Sequence, residues 1–209
     1  MKTKIYFIAK TAVFIALLVA LQAITKPAGQ ILTGSVVNLM LILSVVLGGF
    51  ASGLSVAVIS PFMAALLGIA PNWGLVPFII LGNISIVAVW FILTKVKLKP
   101  LFTYVIAMFV GAAVKFGVLW VSVVQIGVPL ILRLPEKQSA MISAQFDITQ
   151  LFTALIGGAV ACIILPLLVK TISSMEKRAG FVKDTGNIEE HGENDKTSKR
   201  LNLWNQNLH

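Results

Sequence analysis

The chain has 209 residues, of which 57% are hydrophobic and only 12% are charged. A soluble domain carries about 25% charged residues, so this composition argues against a soluble protein and predicts a polytopic membrane protein. The formal net charge of +9 comes from residues 1–170, which hold 11 Lys/Arg and 2 Asp/Glu; residues 171–209 hold 6 of each. Positive charge in a membrane domain is a topology signal, and its pattern predicts no nucleic-acid partner.

The first apolar segment, about 5–24, has the length of a membrane span and is too long for the core of a cleaved signal peptide. It therefore predicts a retained helix. On that helix five alanines fall within an arc of about 80°: Ala9, Ala12, Ala16, Ala20 and Ala23. Small side chains let another helix approach closely, so this stripe predicts a docking face for a partner, centred on Ala12, Ala16 and Ala20.

Five further apolar segments predict membrane helices. They are 35–47, 53–69 with a kink at Pro61, 75–94, 101–124 and 148–170. The second and third segments are short enough that they either span the membrane or tilt and pack inside the bundle. The connection 125–147 contains an apolar piece, 126–132, and is either interfacial or partly inserted in the membrane.

The predicted architecture is therefore an all-α integral membrane protein with six transmembrane helices. Residues 1–172 form the membrane domain, and residues 173–209 form a polar, loosely ordered or disordered tail. Clusters of lysine and arginine within 2–10, 95–99 and 170–178 all fall on one side of a six-span arrangement. Positive residues mark cytoplasmic loops, so we expect a multi-pass protein of the cell membrane with both termini in the cytoplasm.

The residues needed for common catalytic and energy-coupling chemistry are missing from the membrane part. Both histidines lie in the tail, and the only carboxylates before the tail are Glu136 and Asp147. This predicts neither a metal site, nor a cofactor, nor an enzyme. A nucleotide-binding phosphate loop is missing, as is a carboxylate in mid-membrane for a proton relay. A sodium-coupled carrier that uses backbone carbonyls stays open.

Polar side chains in the predicted helices concentrate in the half of the membrane nearest the outer loops. This asymmetry predicts a polar cavity open to the outside, with candidate binding residues in the helices and in the first and third loops. The candidates are Lys26, Gln30, Asn38, Asn72, Trp73, Asn83, Lys115, Trp120 and Gln150.

Several of these residues also have a structural interpretation. A lysine inside the membrane is a functional candidate by default; Lys115 either meets an anionic or polar ligand or pairs with Asp147 or helix carbonyls. Asn38 and Asn83 either contact the ligand or form interhelical hydrogen bonds. Trp73 either covers the ligand or anchors the chain at the membrane interface.

These features together resemble the substrate-binding (S) component of an energy-coupling factor (ECF) vitamin transporter. The resemblance covers about residues 1–172 and leaves out the tail. It rests on six short helices with both ends inside and on four motifs: Ala12-x-x-x-Ala16-x-x-x-Ala20, Thr33-Gly-Ser-Val-Val-Asn38, Ser60-Pro61-Phe62 and Leu81-Gly-Asn83.

The resemblance implies a high-affinity vitamin-binding protein without enzymatic activity. Its partners would be a transmembrane coupling subunit, which the alanine motif contacts, and two cytosolic ATPases. Its ligand would lie near the outer surface, among the first loop and helices four to six. The vitamin is not specified: Lys115 or Lys26 suits a pantothenate-like carboxylate, and a corrinoid or folate stays open. The alternative function is a self-contained small carrier or channel.

Overall fold

The computed structural model describes residues 2–70, 72–96 and 99–175, with side chains described from residue 5 onward. Across these ranges the chain is helical and contains no strand. The α-helices are, in chain order, α1 Lys2–Thr25, α2 Gln30–Gly48, α3 Phe50–Leu66, α4 Val76–Leu93, α5 Pro100–Leu119, α6 Glu136–Phe146 and α7 148–175.

Glycine and proline set where these helices begin and end. Gly29, before α2, and Gly49, before α3, have φ angles of 94° and 85°, a region that side-chain-bearing residues rarely adopt. Gly49 alone separates α2 from α3, so the two helices form a tight hairpin. Pro77 and Pro100 lie in the first turns of α4 and α5, where a missing backbone N–H breaks no helical hydrogen bond.

Five helical stretches of the described chain are long and apolar enough to cross a membrane: Ile5–Ala28, Gln30–Gly48, Trp73–Leu93, Pro100–Leu132 and Glu136–Met175. Helix α3 is shorter, at 17 residues. The predicted all-α fold is confirmed for these residues, and the long apolar helices are compatible with a multi-pass membrane bundle; the count of six spans stays a prediction. The second segment forms a longer helix than predicted, because helix α2 begins at Gln30 rather than near residue 35. Pro61 lies inside α3 without ending it.

The connection after α5 is more ordered than the sequence indicates. A π-helix, Trp120–Leu132, continues directly from α5 and ends at Arg133, whose φ angle is 44°. Helix α6 follows and packs against it. Together they bury an apolar cluster with the start of α4: Leu75, Leu119, Val123, Val128, Ile142 and Phe146. This cluster holds α6 beside the ends of the long helices.

Helices α2 and α7 approach closely because glycine occupies their contact. A Cβ atom built on Gly157 of α7 would lie 2.8 Å from the Asn38 Cβ of α2. Gly34 of α2 similarly faces Thr153 of α7, with a built Cβ only 2.9 Å from its methyl carbon. Small residues at such contacts let the backbones of membrane helices pack tightly. The close approach places Asn38 against α7.

The chain divides into two units, 1–166 and 167–209. All features described below belong to the first unit. Of the second unit the structure describes 167–175, the last turns of α7. The predicted tail, 173–209, lies outside the described residues from position 176 onward, and its predicted disorder stays a prediction.

Candidate functional site

A lysine with two asparagines forms the polar centre of the helix bundle. Lys115 of α5 donates hydrogen bonds to Oδ1 of Asn38 on α2, at 2.6 Å, and to Oδ1 of Asn83 on α4, at 2.9 Å. All three side chains are at least 97% buried. Of the interpretations open from sequence, pairing with Asp147 is not what the structure shows: within the described residues the Lys115 ammonium is held by carboxamide oxygens.

The Lys115 cluster extends to the last helix through a hydroxyl group. Asn38 Nδ2 donates to Thr153 Oγ1 at 3.3 Å, and Thr153 Oγ1 donates to the Gln150 carbonyl at 3.0 Å. The network therefore joins α2, α4, α5 and α7. Since buried polar groups are costly unless they are hydrogen-bonded, this network fixes how the four helices pack at this end of the bundle.

Asn83 also lies beside a backbone carbonyl that a proline leaves free. Pro61 has no N–H, so the Ala57 carbonyl four residues earlier lacks its normal helical donor. Asn83 Nδ2 lies 3.5 Å from that Ala57 oxygen. One asparagine thus accepts from Lys115 with its oxygen and faces the freed carbonyl of α3 with its amide nitrogen.

Next to this cluster lies a cavity of about 90 Å³. Its walls come from every helix of the bundle, at the end where α1 meets α2 and α3 meets α4. The polar lining residues are Gln22, Gln30, Thr33, Ser60, Asn83, Lys115, Gln145 and Gln150, and the apolar ones include Val37, Pro61, Ile79, Leu119 and Phe146. The part of the lining that the structure describes contains one cationic side chain and no carboxylate.

Within the described residues, two buried polar atoms that belong to lining residues of this cavity have no hydrogen-bond partner. They are Oε1 of Gln22, on α1, and Oγ of Ser60, on α3. Gln22 is 6% exposed and Ser60 is 1% exposed, so solvent at the protein surface does not satisfy them. Leaving a buried polar atom unpaired costs about 1–3 kcal/mol, and such atoms on a cavity wall mark a place where a ligand or ordered water forms the missing bonds.

The structure brings together some of the predicted binding residues. Gln30, Asn83, Lys115 and Gln150 line the cavity. Asn38 lies behind Lys115 and supports it without lining the cavity.

The other predicted residues lie elsewhere. Lys26 is exposed and donates to the Gly68 carbonyl, next to lining residues Ile69 and Ala70. Asn72 caps a short 3-10 turn by accepting from the Gly74 N–H at 2.8 Å. Trp73 and Trp120 are 56% and 38% exposed and do not line the cavity. Their positions agree better with anchoring or packing than with ligand contact.

Four polar lining residues are not among the sequence candidates: Gln22, Thr33, Ser60 and Gln145. Gln22 could have been predicted from the sequence as a site residue, since an amide side chain inside an apolar helix is unusual. Ser60 could not have been predicted in this way, because most serines in membrane helices donate a hydrogen bond to their own backbone. Only the structure shows that the Ser60 hydroxyl has no hydrogen-bond partner among the described residues.

The alanine stripe lies on the open face of α1. All five alanines are exposed in the described structure, whereas Thr11, Leu18 and Gln22 on the opposite face are buried. Thr11 hydroxyl donates to Ser52 Oγ of α3 at 3.0 Å. The stripe therefore lies outside the buried face by which α1 packs against the described chain.

No protein-family model, no curated protein and no solved structure matches this chain. The interpretation of the cavity consequently rests on its own geometry and chemistry.

Proposed function

We propose that this protein is the membrane-embedded binding subunit of an ECF-type importer, and that it binds a water-soluble vitamin or related micronutrient. The observation that carries the proposal is the cavity, in which buried polar atoms without partners lie inside a bundle of apolar helices. Placing polar side chains inside a membrane-spanning bundle costs free energy. A ligand that satisfies those groups explains why they are there.

The proposed orientation places the cavity on the outer side of the cell membrane. Lys10, Lys95 and Lys99 lie at the opposite end of the bundle from the cavity, on the N-terminal part of α1, after α4 and before α5. Since lysine and arginine mark the cytoplasmic side, that end faces the cytoplasm together with both termini. The ligand then enters from outside.

The exposed alanine stripe is an argument that a coupling subunit packs against α1. In the proposed assembly a transmembrane coupling subunit packs against Ala12, Ala16 and Ala20, and two cytosolic ATPases supply the energy. The stripe suits a helix of another membrane protein because small side chains allow a close backbone approach, which is how helices associate in lipid. The protein itself performs no chemistry on its ligand.

The test is reconstitution of the full chain in liposomes, with and without a coupling subunit and its ATPases. We expect uptake only when all the subunits and ATP are present. Gradient-driven flux through the chain alone would contradict the proposal and favour a self-contained carrier or channel. Native mass spectrometry of the purified chain should detect one co-purified small molecule per protein.

Tryptophan substitutions test the docking face separately. Ala16→Trp should abolish uptake and preserve ligand binding, because it blocks the stripe without touching the cavity. Leu17→Trp is the matched control: Leu17 is also exposed but points about 100° away around the same helix. Loss of ligand binding in Ala16→Trp, or equal loss of uptake in both variants, would refute the assigned face.

A further inference from the structure

The charge of the cavity wall limits what it binds. Among the described lining residues Lys115 is the one ionisable side chain, and the remaining polar members are amides and hydroxyls. A ligand with a permanent positive charge would lie beside a buried ammonium with no carboxylate in the lining to offset the repulsion. Like charges at short range in a low-dielectric site repel strongly. The ligand is therefore neutral or anionic.

Gln22 determines what the ligand must donate. Within the described residues its Oε1 is a buried acceptor without a partner. A carboxamide presents an acceptor and a donor side by side. The complementary group is one with an N–H next to a carbonyl or ring nitrogen, which is how glutamine and asparagine bind the edges of nucleobases.

Further amides surround the same space. Gln30 and Gln145 line the cavity alongside Gln22, and Gln150 donates its Nε2 to the Gln145 carbonyl at 3.0 Å. That bond orients the Gln150 carboxamide and leaves its Oε1 available as an acceptor. Ser60 Oγ adds a hydroxyl without a partner. The wall is thus rich in amide and hydroxyl groups that can both donate and accept, and Gln22 Oε1 is the buried acceptor that requires an N–H or O–H group from the ligand.

Lys115 requires an acceptor from the ligand. An ammonium has three protons to donate, and Asn38 and Asn83 take two of them. Within the described residues the third proton has no partner, and Lys115 lines the cavity. A carbonyl or anionic oxygen of the ligand would complete its coordination.

We propose that the cavity recognises a heterocycle with a lactam or ureide edge, an N–H beside a carbonyl, that carries no permanent positive charge. Gln22 and Ser60 bind its N–H groups, and Lys115 binds a carbonyl or anionic oxygen. This inference rests on the proposed function, since it names the ligand class for the same cavity. The apolar walls formed by residues such as Ile79, Leu119 and Phe146 contact the body of the ring.

The test measures ligand affinity of the purified full chain in lipid nanodiscs. The probes are any co-purified molecule together with uracil, hypoxanthine and lumazine, each beside its N-methylated derivative, and thiamine as a permanently cationic heterocycle. A site that hydrogen-bonds an N–H rejects the analogue lacking it, since a buried acceptor is left unpaired; we expect roughly tenfold or greater preference for the N–H form. The Gln22→Leu variant should lose this preference.

The affinity ratio of N–H to N-methyl probe is measured within one protein, so a general loss of stability in Gln22→Leu does not imitate the expected result. Gln125→Leu is the matched control, because Gln125 is exposed and outside the cavity. Equal binding of the paired probes, a co-purified ligand with a permanent positive charge, or binding only by compounds without an N–H donor would overturn the inference. Binding of no small molecule of any class would instead overturn the proposed function.

Discussion

Asn38 and Lys115 should be energetically coupled, and a double-mutant cycle measures that coupling. Asn38→Leu removes the acceptor that lies 2.6 Å from the Lys115 Nζ and the donor to Thr153. A hydrogen bond to a charged group contributes about 1.5–3 kcal/mol, whereas interhelical bonds in membrane proteins average about 0.6 kcal/mol. We therefore expect Asn38→Leu to lower the free energy of unfolding by about 2 kcal/mol.

The cycle separates the bond to Lys115 from the bond to Thr153. In a Lys115→Met background the charged partner is gone, and Asn38→Leu should cost only about 0.6 kcal/mol, the value of the remaining bond. The expected coupling between Asn38 and Lys115 is therefore about 1.5 kcal/mol. A coupling below about 0.5 kcal/mol would mean that the two side chains act independently, and would refute the role assigned to this bond.

The chain supplies its own probe for this assay. Cys162 is the only cysteine in the sequence and is buried, without a disulfide. A fluorogenic thiol reagent reacts with it once the bundle opens, so the reaction reports unfolding in titrations with a denaturing detergent. All four proteins of the cycle keep Cys162, which makes their transitions directly comparable.

Two further predictions concern packing and the site. Gly157→Ala should destabilise the bundle by about 1–3 kcal/mol, because its Cβ would overlap α2; Gly117→Ala, where a Cβ meets nothing within 4 Å, should not. The thiol assay compares them, and equal effects would contradict the close approach. Gln150→Leu should weaken ligand binding about tenfold, whereas Trp120→Ala should leave it nearly unchanged, since Trp120 is outside the lining. Isothermal titration calorimetry measures the ligand affinity of both variants. A larger loss of affinity in Trp120→Ala than in Gln150→Leu would mean that Trp120 contacts the ligand.

The sequence was sufficient to place the principal polar residues at one end of the bundle. Counting positions along the apolar helices predicts Asn83 and Lys115 at similar depth and Asn38 nearer the outer end, all in the outer half of the membrane; the structure joins the three directly. Depth follows from helical rise alone. Which residue bonds to which depends on how the helices are rotated about their axes, and that is decided by packing contacts such as those of Gly34 and Gly157.

Other features could not be predicted from a single sequence. The alanine stripe dominates the sequence pattern of α1 and masks Gln22, which lies on the opposite face of that helix. The residues after Leu119 have the composition of an α-helix, and nothing in their spacing distinguishes the i to i+5 bonding of the π-helix Trp120–Leu132. The exposed tryptophans were placed near the ligand by sequence position, which carries no information on side-chain direction.

The way Lys115 is held has a consequence for the electric field around the cavity. A carboxylate partner would turn the ammonium into a dipole whose field decays quickly with distance. Asn38 and Asn83 are uncharged, so they bind the ammonium without neutralising its charge. An anion that approaches the cavity is attracted by this charge, and salt screens the attraction over a Debye length of about 8 Å at physiological ionic strength. Capture of an anionic ligand should consequently slow as ionic strength rises, and capture of a neutral one should not.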